Sequence, residues 1–478
     1  MKILFAAAEC APFFKTGGLG DVVGALPKYL AKKGHEVKVV LPYFAGMKEE
    51  YKQKLAYLFN FRVNVGWRSQ YCGLMHLEQD GVEYFFIDNE YYFKRPGLYG
   101  YYDDGERFAF FQQAVIEMME KVNFIPDVLH VNDYHTAFIP FLLREKYGWI
   151  NAYQQIATVL TIHNLEFQGQ YGRDVLPELF GMDTGRYDDG TVRFGDAVNF
   201  MKAGILYADK INTVSPSYAG EIQTPAFGCG LDGVLRMVNW KLSGILNGID
   251  YETNNPKTDP NIKHTFTKNN LKGKAVDKAE LQQKFGLPVR KDVPLIGIVS
   301  RLTYQKGFQL VVSEMENLLQ FDVQVVVLGT GYPDLEHDFW YFGDKYPDKC
   351  GVKIDFDVNL AQEIYAGCDM FLMPSAFEPC GLSQMISMRY GTLPIVHQIG
   401  GLKDSVEAYN PIEHTGTGFG FEEYNSFYMM ETIKQALGVY TNEPKVWKKL
   451  VTNAMKRDSS WQTASQSYEA LYEEIIRN

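Results

Sequence analysis

Cysteine is scarce and scattered, with six residues (Cys10, Cys72, Cys229, Cys350, Cys368 and Cys380) in 478 and no C-x-x-C pair or metal-ligand spacing among them. Neither a disulfide framework nor a zinc module is indicated, and a reducing cytoplasm fits. Excess positive charge is missing as well. Lys and Arg number 47 against 58 Asp and Glu, a net charge of −11, so the overall basic field needed for non-specific binding to nucleic acid or an anionic membrane is absent. Any polyanion must be met locally. No apolar run approaches the ~18 residues of a membrane span, and there is no internal repeat or low-complexity tract. The apolar start, residues 3–8, is shorter than the ~7–15 residues of a signal-peptide core and meets Glu9 at once. It reads as a first β-strand.

What the sequence does contain is a globular balance, 46% hydrophobic and 22% charged, on a chain long enough for about two or three domains. Short apolar runs bounded by Gly or Pro (3–8, 37–41, 84–87, 128–131, 157–162, 210–214) alternate with helical stretches. Runs this continuously apolar are buried on both faces, as in a parallel sheet covered by helices. After a polar, turn-rich stretch at 253–270, read as a linker or a surface excursion, the pattern restarts at 295–300, 323–329, 370–374 and 393–396. A last helix over 459–478 carries Trp461, Tyr468, Leu471, Tyr472 and Ile475 on one face. The expected organisation is an α/β domain over 1–245, a second over 246–458, and the terminal helix.

In such sheets ligands bind at the carboxyl ends of the strands. After the first strand, Lys15-Thr-Gly-Gly-Leu-Gly-Asp-Val-Val-Gly24 opens a helix expected near Asp21. Gly18, Gly20 and Gly24 approximate a dinucleotide fingerprint, but the third glycine is one residue late and Pro42 stands where an acidic ribose ligand belongs. In Ser300-Arg-Leu-Thr-Tyr-Gln-Lys-Gly307, Arg301 and Lys306 suit one diphosphate, with a pair of solvated charges as the plain alternative. Glu378, in Ser375-Ala-Phe-Glu-Pro-Cys-Gly-Leu382, precedes a helix expected over 382–390, and Gln398-Ile-Gly-Gly-Leu-Lys403 repeats the Gly-Gly-Leu theme. His130-Val-Asn-Asp-Tyr-His135 tempts a metal reading, but strand alternation sends neighbours to opposite faces; no metal is expected. His163, in Thr161-Ile-His-Asn-Leu165, ends another strand and is expected to face the ligand side. The aromatic loop at 91–102 fits either a sugar platform or a loop packed on itself.

Together, K-T-G-G-L-G-D-V at 15–22, T-I-H-N-L at 161–165, K-A-G-I-L-Y-A-D at 202–209, T-V-S-P-S-Y at 213–218, L-N-G-I-D at 246–250, S-R-L-T-Y-Q-K-G at 300–307 and E-P-C-G-L-S-Q at 378–384 closely resemble bacterial glycogen synthases and plant starch synthases. The resemblance runs the length of the chain. It implies the GT-B fold, two Rossmann-like domains with parallel sheets facing a central cleft, the terminal helix crossing back to the first domain. It also implies transfer of glucose from ADP-glucose to the non-reducing 4-hydroxyl of an α-1,4-glucan with retention, and no cofactor. Carried over by motif, Lys15 and the Gly17-Gly18 backbone would face donor phosphate and glucose, with Asp21 and Asn247 nearby. Arg301 and Lys306 would hold the diphosphate, His163 the glucose near the reaction centre, and Glu378 its hydroxyls. The Cys380, Gly381 and Leu382 backbone would cap the sugar, and Phe356, at the end of a strand read as 352–356, would stack on adenine. Many retaining members of the fold have a second glutamate eight positions on, where this chain has Ile386. A transferase of the same fold using UDP-glucose or another acceptor is the alternative, and a non-catalytic glucan binder has no use for a diphosphate grip.

Overall fold

In the computed structural model, which describes residues 1–477, two compact units divide the chain: residues 1–245 with the helix Trp461–Arg477, and Leu246–Ser460. Strands of the first unit are β1 (Lys2–Ala6), β2 (Glu36–Pro42), β3 (Ala56–Val65), β4 (Arg68–Gln79), β5 (Val82–Asp88), β6 (Val128–Asn132), β7 (Ala157–Ile162), β8 (Gln170–Gly172), β9 (Arg193–Phe194), β10 (Ala197–Asn199), β11 (Lys210–Thr213) and β12 (Leu242–Gly244). Nine form one sheet, ordered β12-β11-β7-β6-β1-β2-β5-β4-β3. It is parallel from β12 to β5 and antiparallel through β4 and β3. The expected parallel strands are all present because their side chains are buried on both faces, as in Val128–Asn132. A small antiparallel sheet, β8-β10-β9, lies beside them in sequence.

The second unit holds β13 (Leu295–Val299), β14 (Gln324–Leu328), β15 (Cys350–Lys353), β16 (Met370–Met373), β17 (Leu393–His397) and β18 (Phe419–Phe421). All neighbours in its order β15-β14-β13-β16-β17-β18 are parallel. Leu281, Leu295, Val326, Leu328, Leu360, Ile364 and Cys368 pack as a core under the helices Lys272–Lys284 and Val358–Gly367.

One open alternative narrows and two sequence expectations change. The turn-rich stretch at 253–270 is a surface excursion within the second unit, not a linker: Ile262 and Phe266 are buried, and Asp259 accepts a 2.6 Å hydrogen bond from the Tyr390 hydroxyl. The first helix begins at Gly18, not near Asp21. The strand before Phe356 ends at Lys353, where its register with Leu328 stops; Phe356 lies in the following loop.

Trp461, Tyr468, Leu471 and Tyr472 are buried, each apolar side chain contributing about 1.5–3 kcal/mol on leaving water. Tyr472 hydroxyl lies 2.6 Å from His130 Nδ1, and Glu469 bonds Lys33 at 2.8 Å and His35 at 2.7 Å. The terminal helix is thus an integral piece of the first unit. Among the described residues no helix is long and apolar enough to cross a membrane.

Candidate active site

In the first unit, β1 runs into a loop organised by Glu9. This carboxylate is only 4% exposed and accepts four hydrogen bonds: Thr16 N–H at 2.6 Å and Gly17 N–H at 3.2 Å on Oε2, Thr16 hydroxyl at 2.6 Å and Tyr99 hydroxyl at 2.8 Å on Oε1. Gly17 is the N-cap of the helix Gly18–Lys32 and offers no side chain to cap it. The space beside Gly17 and Gly18 is open to at least 4 Å around a virtual Cβ, so free helix amides face unfilled room. Gly24 answers a packing need instead: a Cβ there would come within 2.7 Å of the Ala11 carbonyl. Lys15 pairs with Asp21 at 2.6 Å, and burial raises the Asp21 pKa in spite of that lysine.

His163 follows β7 and is 8% exposed. Its backbone N–H donates to Asp133 Oδ1 at 2.8 Å, and its Nε2 lies 2.9 Å from Asn132 Oδ1. The ring therefore donates through Nε2, leaving Nδ1 without a partner among the described residues. Burial pulls its pKa down to about 3, so the ring is neutral. Asp133 has φ +55°, uncommon for a residue with a side chain, and burial lifts its carboxyl to about 7 against backbone hydrogen bonds from residues 163 and 164. His130 and His135 do not converge. His130 joins Thr161 and Tyr472, while His135 stacks on Tyr99 with centroids 4.5 Å apart. No group of three His, Cys, Asp or Glu suited to a metal occurs among the described residues.

The aromatic loop at 91–102 is mixed: Tyr92 and Phe93 are buried, and the rest is half-buried or exposed. Arg107, fully buried, donates to the carbonyls of Tyr92 and Leu98 and to Asp104, while Tyr91 and Tyr102 stay exposed.

In the second unit, loops after β13, β16 and β17 come together. Gly307 has φ +80°, and a Cβ there would overlap the Pro374 carbonyl at 1.9 Å; only glycine lets the two loops touch. The contact brings Lys306 Nζ to 2.7 Å from Glu378 Oε2, which also accepts from Ser375 hydroxyl at 3.0 Å. Gly401 packs as closely on the Cys380 carbonyl and donates to that of Glu378 at 3.0 Å, which explains the second Gly-Gly-Leu. Gly381 takes φ +72°, and Leu382 is the N-cap of Ser383–Arg389. Asn247 is buried and hydrogen-bonded at Cys380, whose thiol burial pushes up to about 12; its own Oδ1 has no partner among the described residues.

Lys306, Glu378, Asn247 and the 380–382 turn are therefore assembled. Arg301 is exposed and its guanidinium makes no hydrogen bond or ion pair among the described residues, and Phe356, 84% exposed, makes no ring contact there. Glu9 and Asp133 were missed by sequence reasoning. A carboxylate interrupting an apolar strand exit was the available signal for Glu9.

A family model described as starch synthase catalytic domain matches residues 2–237, and one described as glycosyl transferases group 1 matches residues 279–456. Two Rossmann-like units with those matches define a glycosyltransferase of the GT-B fold. The chain is 70% identical to a glycogen synthase of Ligilactobacillus salivarius over the whole of both chains, and 59% identical to one of Streptococcus mutans over 99% of this chain and 100% of that one. A solved catalytic domain of starch synthase IV from Arabidopsis thaliana, bound to ADP and acarbose, superposes with a TM-score of 0.92 at 32% identity, covering 100% of this chain and 99% of that one. This protein belongs to the glycogen synthase family.

Proposed function

We propose that this enzyme transfers glucose from ADP-glucose to the non-reducing 4-hydroxyl of an α-1,4-glucan, retaining the anomeric configuration, in glycogen synthesis. The relatives' names and the ADP bound to the plant enzyme support an adenine-nucleotide sugar and a glucan. The second unit is assigned most of the donor's contacts, and the first the acceptor together with the donor contacts of its 15–18 loop and His163. A reducing cytoplasm suits the six free cysteines.

The observation that carries this reading is Arg301, an uncompensated guanidinium on the loop whose other cation, Lys306, is already held by Glu378. A bidentate guanidinium matches a diphosphate, and Lys306 adds charge from a fixed position. Glu378 then serves as acceptor to donor glucose hydroxyls through lone pairs that Lys306 and Ser375 leave free, and Asn247 Oδ1 is a second unfilled acceptor. Cys380, Gly381 and Leu382 present backbone to the sugar, and Phe356 offers an exposed ring to adenine. In the first unit, Lys15, Gly17 and Gly18, steadied by Asp21, are assigned to the donor's phosphate and glucose, and neutral His163 to the glucose near the reacting carbon.

Glu378 has Lys306 beside it and Ile386 where a second acid would stand. A double displacement needs two carboxyls about 5 Å apart, so the step assigned is attack on the face the diphosphate leaves. The acceptor 4-oxygen bonds the anomeric carbon, the bond from that carbon to the phosphate oxygen breaks, and the departing oxygen takes the acceptor's proton. Initial rates on glycogen with ADP-glucose and UDP-glucose test the reading: a strong preference for ADP-glucose is expected, and equal or faster use of UDP-glucose overturns the donor assignment.

A further inference from the structure

Resting on the assignment of the 15–18 loop to the donor, we propose that Glu9 is a positioning residue for this reaction, setting the loop by hydrogen-bond geometry rather than by its charge. The carboxylate lies beneath the loop, buried, and spends both oxygens on its own chain. Oε2 gathers the adjacent N–H groups of Thr16 and Gly17, which fixes the peptide leading into the uncapped helix end. Oε1 ties the Thr16 hydroxyl to that of Tyr99. Tyr99 is itself anchored by stacking on His135, and the Leu98 carbonyl before it is held by buried Arg107. A rigid path thus leads from the helix that carries Arg107 to the peptide between Lys15 and Gly18.

Among the described residues no cation pairs with Glu9: Lys15, the nearest in sequence, is bonded to Asp21. All four of its contacts are to donors of the loop or of Tyr99. An amide of the same length can reproduce them, its carbonyl accepting from the Thr16 and Gly17 N–H groups while its NH2 donates to the two hydroxyls, which can turn to accept. A shorter carboxylate keeps the charge and loses the reach. Geometry and charge therefore predict opposite orders for two variants.

Glu9→Gln, Glu9→Asp, Thr16→Ala and Lys15→Ala are to be compared in kcat and in KM for donor and acceptor separately, on protein shown by circular dichroism to be folded. The expected result is that Glu9→Gln retains kcat/KM for the donor within about tenfold of wild type while Glu9→Asp loses roughly a hundredfold. Thr16→Ala loses several-fold, and acceptor KM stays within about twofold throughout. Glu9→Asp matching or exceeding Glu9→Gln, or both lying within threefold of wild type, overturns the proposal. Lys15→Ala separates the two levels: if it leaves donor kcat/KM intact, the assignment of the loop to the donor fails whatever the Glu9 variants do.

Discussion

Two lysine–carboxylate pairs of almost equal length behave as different objects. Lys15 and Asp21 meet at 2.6 Å with side chains 50% and 27% exposed, whereas Lys306 and Glu378 meet at 2.7 Å with 17% and 8%. An ion pair with a half-exposed lysine contributes about 0–1 kcal/mol, so Lys15 exchanges its partner for a phosphate more readily than Lys306, although Asp21, whose pKa burial raises, then loses its cation. Removing one member of a buried pair costs about 3–5 kcal/mol because the other charge is stranded. The first pair is a movable charge and the second a fixed one. Neighbours divide the work accordingly: buried Glu9 holds the loop that Lys15 leaves loose, and exposed Arg301 is the free cation where Lys306 is committed.

The largest effects should come from the cations of the second unit. Arg301→Ala and Lys306→Ala are each expected to lower kcat by roughly 10²–10³, the loss seen on removing one donor to a developing anion. Only Lys306→Ala should also depress Tm, since it alone strands Glu378. Equal Tm for both variants would erase the distinction between fixed and free charge. A kcat within about threefold of wild type, under ~0.7 kcal/mol, would remove the residue from the diphosphate grip.

Glu378→Gln comes next. It keeps shape and one acceptor and should lose less than Glu378→Ala, whose loss is that of charged hydrogen bonds worth about 1.5–3 kcal/mol. Intact mass after incubation with a slow donor analogue should show no glucosyl adduct; an adduct on Glu378 would make it the nucleophile.

A smaller effect concerns stability against acid. Burial lowers His130, His135 and His163 from 6.5 to about 3. Between those values the unfolded chain binds more protons, so stability is lost as pH falls through that window. Asp133, raised from 3.8 to about 7, acts oppositely, its folded form binding the extra proton and losing stability as pH rises across its own range. His135→Phe forfeits no hydrogen bond, both ring nitrogens being unpartnered among the described residues. It should move the acid-unfolding midpoint to lower pH, relieving up to ~1.4 kcal/mol per pH unit; an unmoved midpoint would mean that His135 is already charged.

The smallest expected effect is none. If Lys15, Arg301, Lys306 and helix amides meet the departing charge as proposed, turnover should survive EDTA, and complete loss restored by Mg²⁺ would refute that.

The parallel strands were legible because burial on both faces writes itself as unbroken apolar runs. The β3–β4 hairpin was not, since Tyr57, Leu58, Trp67 and Tyr71 stay exposed and its pattern is mixed. The run Val352, Ile354 and Phe356 suggested a strand three residues past Lys353, yet the register with β14 stops at Leu328 and Lys353. Arg301 and Glu378 stood out as charges at strand ends. That Lys306 belongs to Glu378 did not, because 72 residues separate them and Gly307 makes the contact by lacking a side chain.

The terminal helix has a consequence for how the protein is made. The seat that His130, Lys33 and His35 provide for Tyr472 and Glu469 is synthesised before the second unit, and its occupant after it. At ribosomal rates of about 5–20 residues per second, the intervening second unit takes roughly 10–40 s to emerge. Throughout that interval the first unit is a nascent body with an open aromatic socket, and it can reach its final stability only after the helix Trp461–Arg477 has emerged.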